Sequence, residues 1–331
     1  MLTRSWGSRS SLVALVAVLA MALLATGCGD SGNGGVAGSG GGGSSGGGGS
    51  GALAGATVTV GSKEFTEQLI LGKMTVALLE NAGAKVKDET GLAGSVAARK
   101  ALESGKIDMY WEYTGTNWLT YLKETKPLPD SKQQYDAVKQ AEAANGIDLL
   151  DPAPANNTYA FAVRQEAADQ LGVKKISDFK TLVGQRPKDA TLCVGEEFTS
   201  RDDGLPGVEK SYGFTFPKDD VTKLDEGIIY TEVDKGRKCN FGEVFVTDGR
   251  IAANKLTVIQ DDKNFFPKYN PALNVRKQIL GKYPKLAGVI NPVAAKLDDA
   301  TMQKLNAQVD VDGIPEEEVA QKWLEDNGFL K

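Results

Sequence analysis

Residues 57–89 read TVTVGSKEFTEQLILGKMTVALLENAGAKVKDE, and three changes of rhythm in that stretch set the expected architecture. Thr57 to Val60 is a short β-rich run that closes on Gly61. The apolar residues Leu71, Met74 and Leu78 then recur at helical spacing, with Thr66 placed to cap the start and Gly83 to stop the helix. Ala84 to Glu89 returns to a strand. Further out, Ser95 to Ser104 reads as a second helix stopped by Gly105, and Ile107 to Trp111 as a third strand. A β-α-β-α-β order predicts an α/β fold with a parallel sheet under covering helices, in which ligands sit outside the carboxyl ends of the strands. Two loops occupy such positions: GSKEFTEQ (61–68), which leads into a helix N-terminus, and YWEYTGTNW (110–118).

A second unit repeats the alternation. NNTYAFAVR (156–164) gives a strand, followed by TLCVG (191–195), EEFTSRDDG (196–204), GEVFVTDG (242–249) and LTVIQDD (256–262). Helical segments run to the end of the chain, including one over Pro315 to Asn327 with proline at its start. The first domain is expected to recover this C-terminal portion. That gives domain 1 as 56–156 plus 266–331 and domain 2 as 157–265, with crossings at 155–159 and 262–269 that make a hinged cleft.

Composition narrows the function. The 331 residues are 41% hydrophobic and 24% charged, which suits a soluble globular protein with two core-forming units. A net charge of -5 argues against nucleic acid or an anionic membrane surface as a partner. Histidine is missing altogether, which removes the usual general base, the usual triad member and the commonest zinc ligand. Neither a metal nor a cofactor is expected. Glu196 with Glu197 and Glu64 with Glu67 are acid pairs open to hydrolytic use, but neighbouring carboxylates are ordinarily solvated or salt-bridged. VDVDG (309–313) lacks the spacing and terminal glutamate of a calcium loop and reads as a helix cap and turn; Asp248 in TDGRI is read as the start of a helix.

The N-terminus reads as an export signal. Arg4 and Arg9 precede an apolar run from Leu12 to Leu24, too short to span a bilayer comfortably, and then Ala25-Thr26-Gly27-Cys28. Small residues before a cysteine resemble the lipobox of bacterial lipoproteins, which makes residues 1–28 a signal ending in a lipidated Cys28 and the location extracytoplasmic, anchored to the cell membrane. Residues 29–55 are nearly all glycine and serine and behave as a tether spanning on the order of 28 Å. In an exported chain the remaining pair, Cys193 and Cys239, is expected to be oxidised to a disulfide.

Taken in order, GSKEFTEQLILGKM, GKIDMYWEYTGT, NNTYAFAVR, VTDGRI and FFPKYNPA resemble the substrate-binding proteins of osmoprotectant ABC importers, which bind glycine betaine, choline, carnitine and related quaternary amines. The resemblance covers about Val58 to Leu330 and implies the two-domain type II periplasmic-binding-protein fold. It also implies an aromatic cage for a trimethylammonium group, falling here on Tyr113, Tyr159, Phe245 and Tyr269, where Phe245 stands in place of an expected tyrosine. Such a cation has no N–H to donate, so the negative faces of several rings replace its weakly held water, each worth roughly 0.5–2 kcal/mol. The implied carboxylate clamp falls on Lys63, Thr116 and Arg201, with Gln68 and Asn157 as polar supports. Tyr110 and Trp111 are left as packing. The implied protein is a non-enzymatic, monomeric solute receptor that delivers glycine betaine to an ABC permease driven by a separate ATPase. Choline or carnitine is the nearer alternative; a secreted carboxylate hydrolase is the remoter one, disfavoured by the missing histidine and the absence of GxSxG.

Overall fold

The computed structural model describes residues 51–126, 128 and 130–330; the signal, Cys28 and most of the tether lie outside the described residues. Two five-stranded sheets organise the body. The first contains β1 (Thr57–Lys63), β2 (Lys85–Leu92), β3 (Met109–Tyr113), β4 (Ile147–Leu149) and the distant β10 (Pro271–Arg276), in the order β2-β1-β3-β10-β4. The second contains β5 (Tyr159–Arg164), β6 (Leu192–Val194), β7 (Val221–Lys223), β8 (Phe241–Phe245) and β9 (Leu256–Ile259), in the order β7-β6-β8-β5-β9.

Neither sheet is purely parallel, which corrects the expectation from the strand–helix alternation. β1 runs parallel to β2 and β3, and β6 to β7 and β8, as strands joined by crossover helices do. The strands that enter directly after a crossing between the sheets, β10 and β5, are each inserted antiparallel to both neighbours. FFPKYNPALNVR gives no clear strand signal because proline and lysine interrupt it, yet its second half pairs on both edges.

Each covering helix forms where its apolar stripe meets a sheet. Helix Thr66–Asn81 buries Ile70, Leu71, Met74 and Leu78 against Val58 and Val60 of β1. It ends at Ala82, with Gly83 at φ +91°. Thr66 is the first helical residue rather than the cap, a place taken by Phe65; the Thr66 hydroxyl instead donates to Asp310 Oδ1 at 2.7 Å. Helix Gly94–Ser104 stops on left-handed Gly105, where no side chain opposes a positive φ. The third strand extends two residues past the expected Trp111 to Tyr113, so Glu112 lies fully buried inside it. Asp248 lies just before a short helix, Arg250–Ala253, whose N-cap is Gly249, and accepts the Arg250 N–H at 2.8 Å.

Helices Leu286–Ala294, Asp299–Asp310 and Glu316–Asp326 return to the first sheet, where Ile290, Met302, Leu305 and Leu324 share a core with Val58, Val60 and Ile70. Residues 51–55, assigned to the tether by composition, are part of this body. Leu53 is buried in that core and its N–H donates to the Ala82 carbonyl at 2.8 Å, because one leucine among alanines supplies the apolar anchor that glycine and serine lack. In the second sheet Cys193 and Cys239 are joined by a disulfide that sits in a buried cluster with Ile229, Tyr230 and Val233.

Candidate functional site

The strand ends of the two sheets meet around one nearly filled cavity of about 20 Å3. Strand register builds its wall. Tyr159 opens β5 directly opposite Phe245, the last residue of β8, so their rings are neighbours 5.2 Å apart. Pro271 pairs with Tyr113 at the end of β3, which brings Tyr269 to the same place; its ring stands edge-on to Tyr159 at 5.5 Å. Phe65, in the loop between β1 and its helix, stacks on Phe245 at 5.3 Å and faces Tyr113 at 6.2 Å. A side chain at residue 115 would put its Cβ 2.6 Å from the Tyr269 ring, so the turn after β3 needs glycine for the ring to lie against it.

Hydroxyl bonds set the ring orientations. Tyr113 donates to Glu67 Oε1 at 2.8 Å, and Tyr269 donates to Asp203. Burial pushes both phenols well above their ordinary range, helped by the charges of Glu67 and Asp203, so they remain donors at any physiological pH.

Two cations close the cavity, and each has a buried partner. Lys63 Nζ donates to Glu112 Oε1 at 2.6 Å and to Ser95 Oγ at 3.0 Å, and lies 5.1 Å from the Tyr113 ring centroid. Glu112 also accepts from the hydroxyls of Tyr110 and Tyr121, at 3.0 and 2.7 Å, which explains how a carboxylate tolerates full burial. Arg201 binds Asp203 through Nε at 2.7 Å and through a second guanidinium nitrogen, reaches Thr116 Oγ1 at 3.4 Å, and lies 5.7 Å from the Tyr159 centroid.

Contacts cross from one sheet's elements to the other's at two places beside the cavity. Glu197 Oε2 accepts from Ser95 Oγ at 3.2 Å. Glu67 receives four donors: the Tyr113 hydroxyl, Asn157 at 2.9 Å, Asn306 at 3.0 Å and Thr247 at 2.6 Å. Thr247 comes from the second lobe, immediately after β8, and Asn157 from the crossing just before β5. Burial pushes Glu67 up, and its four hydrogen bonds oppose that rise.

Eight of the nine residues expected at a ligand line this cavity: Lys63, Tyr113, Thr116, Asn157, Tyr159, Arg201, Phe245 and Tyr269. Gln68 does not. It lies buried behind Lys63, whose backbone N–H it accepts at 3.3 Å. Tyr110 and Trp111 are packed in the cores, the indole donating to Thr75 at 2.8 Å. The lining also includes Phe65, Ser95 and Glu226, which the sequence did not single out, and Glu197, singled out there only as half of an acid pair. Phe65 had a visible signal, an aromatic residue in a strand-to-helix loop already singled out; Glu226 had none, since DEGIIY reads as an ordinary helix start.

Two α/β lobes joined by two crossings, with a ring-lined cavity at their strand ends, define the type II periplasmic-binding-protein fold, the architecture of extracytoplasmic solute receptors. The substrate-binding domain of ABC-type glycine betaine transport systems matches residues 56–326, and the chain belongs to that family. The glycine-betaine-binding protein of Pseudomonas aeruginosa is 39% identical over 279 residues, 83% of this chain and 89% of that protein. Apo YehZ from Escherichia coli superposes with a TM-score of 0.61 at 33% identity, over 82% of this chain and 99% of YehZ. A glycine betaine/carnitine/choline ABC transporter structure gives 0.67 at 29% identity, over 83% of this chain and all of the other. Family members are transport components that bind substrate for a permease; they are not enzymes as a class.

Proposed function

We propose that this chain captures a quaternary ammonium osmoprotectant, glycine betaine first among them, and hands it to an ABC permease energised by a separate ATPase. One observation carries the reading: five aromatic rings converge on a single cavity that also presents a lysine and an arginine. Rings suit a cation that cannot donate hydrogen bonds, and Tyr113, Tyr159, Phe245 and Tyr269, with Phe65, form the cage. Lys63, Thr116 and Arg201 hold the ligand carboxylate, with Asn157 and, from behind, Gln68 in support. A second reading, choline, is favoured by Glu197 and Glu226 on the same wall, since acids welcome a cation that brings no carboxylate.

In this reading residues 51–156 with 266–330 form one lobe and 157–265 the other, and they close on the ligand about the two crossings. Cys28 anchors a monomer to the membrane, and residues 29–50 leash it. Calorimetric titration of the full chain with glycine betaine and choline, beside a Tyr159→Ala variant, tests the proposal. Saturable binding by the parent, weakened about tenfold or more by the substitution, is expected. Heat from neither ligand, or a variant that binds like the parent, overturns it.

A further inference from the structure

We infer that Glu226 decides whether the cage prefers a zwitterion or a simple cation, because it is an uncommitted carboxyl on the cavity wall. The inference deepens the proposed function and rests on it. Both cations at the cavity are already neutralised, Lys63 by Glu112 and Arg201 by Asp203. Each can still donate to a ligand carboxylate, but its charge is already balanced, so the acids of the wall set the net charge the ligand meets.

There are two such acids, Glu197 and Glu226. Glu197 is engaged: it accepts from the Ser95 N–H and hydroxyl, each at 3.2 Å, and lies 3.8 Å from Arg201. Glu226, the first residue of helix Glu226–Lys235, is half-buried and has no hydrogen-bond or ion-pair partner among the described residues. Behind it lies Glu243 of β8, fully buried, with one oxygen accepting the Gly195 N–H at 2.7 Å and the other unpartnered. A Cβ at residue 195 would sit 3.2 Å from Glu226 Oε1 and 3.4 Å from Glu243 Oε2, so glycine there leaves room for two carboxyls to approach each other.

The groups facing Glu226 are mixed in sign. Glu197 and Glu64 oppose its charge and Glu243 is coupled to it through the same space, while Lys63, Arg250 and the helix N-terminus favour it. Burial is the largest influence, and with the two acids it pushes Glu226 up to about 7. A protonated Glu226 donates its O–H to a ligand carboxylate. Ionised, it repels that carboxylate and attracts a bare ammonium. Zwitterion binding therefore weakens as pH rises through 7, and binding of a simple cation strengthens. The neutral fraction of a group titrating there drops about tenfold between pH 6 and pH 8, which sets the size of the effect.

Titrating the full chain with glycine betaine and with choline at pH 6, 7 and 8, and repeating this on Glu226→Gln, tests the inference. The betaine-to-choline affinity ratio should fall about tenfold or more from pH 6 to pH 8 in the parent and stay flat in the variant. A parent ratio that ignores pH, or one that moves equally in the variant, overturns the inference while leaving the proposed function standing. Heat from neither ligand at any pH brings down both. The carboxyl carbon-13 resonance of Glu226 gives an answer that does not depend on the variant folding. It should titrate near neutrality and move to higher pH with betaine and to lower pH with choline; an unmoved titration overturns the inference.

Discussion

Replacing Thr247 with valine keeps the shape of the side chain and removes one hydroxyl, the donor that ties the second lobe to Glu67 at 2.6 Å. Three donors to Glu67 remain: Tyr113 and Asn306 from the first lobe, and Asn157 at the crossing itself, whose N–H is held by the Tyr269 carbonyl. A hydrogen bond to a carboxylate is worth about 1.5–3 kcal/mol, and each 1.4 kcal/mol is tenfold in affinity. If Thr247 meets Glu67 only when the lobes close, the whole loss falls on ligand binding: glycine betaine should bind about ten- to a hundredfold more weakly to Thr247→Val. The melting temperature of the unliganded protein should then stay within about 2 °C of the parent. Calorimetry and thermal unfolding, each with and without ligand, separate the two quantities. The reasoning is refuted by the reverse pattern, an unliganded protein that melts several degrees lower and binds betaine like the parent, because the bond would then be a fixture of the fold.

Two further outcomes concern stability. The disulfide between Cys193 and Cys239 closes 46 residues, for which chain entropy gives about 4 kcal/mol, so the double serine variant should melt roughly 8–16 °C lower; a change under 2 °C would count against that account. Leu53→Ala should cost about 2–3 kcal/mol in urea unfolding, because Leu53 is buried in the first lobe's core, whereas a true tether residue would cost nothing measurable.

Much of the site was legible because its chemistry is carried by large or charged residues in short strand-end loops, and such loops announce themselves by breaking a periodic run. The loops GSKEFTEQ and YWEYTGTNW are visible in this way, whereas Tyr159, Phe245 and Tyr269 were placed at the site by the resemblance of their motifs to the osmoprotectant-binding family. The strand through Glu112 was cut short for the opposite reason: a carboxylate reads as the end of a buried run, and only the arrival of Lys63, Tyr110 and Tyr121 from other positions makes its burial affordable. The antiparallel insertion of β10 was hidden because alternation of strands and helices reports local order and is silent about a strand that arrives from more than 120 residues away. Glu226 was invisible because its importance lies in which neighbours are already paired, a fact about three dimensions.

The inserted position of β10 also dictates an order of assembly. Until residues 271–276 arrive, β3 and β4 have no strand between them, and each presents an unpaired edge to the other and to any passing chain. The second lobe's sheet is complete within residues 159–259, so it can form as soon as that segment is available. The first lobe is made first and finished last, since it also waits for Ile290, Met302 and Leu324 to fill its core. A chain that stalls or is clipped before residue 271 therefore carries one sound lobe and one sticky half-sheet.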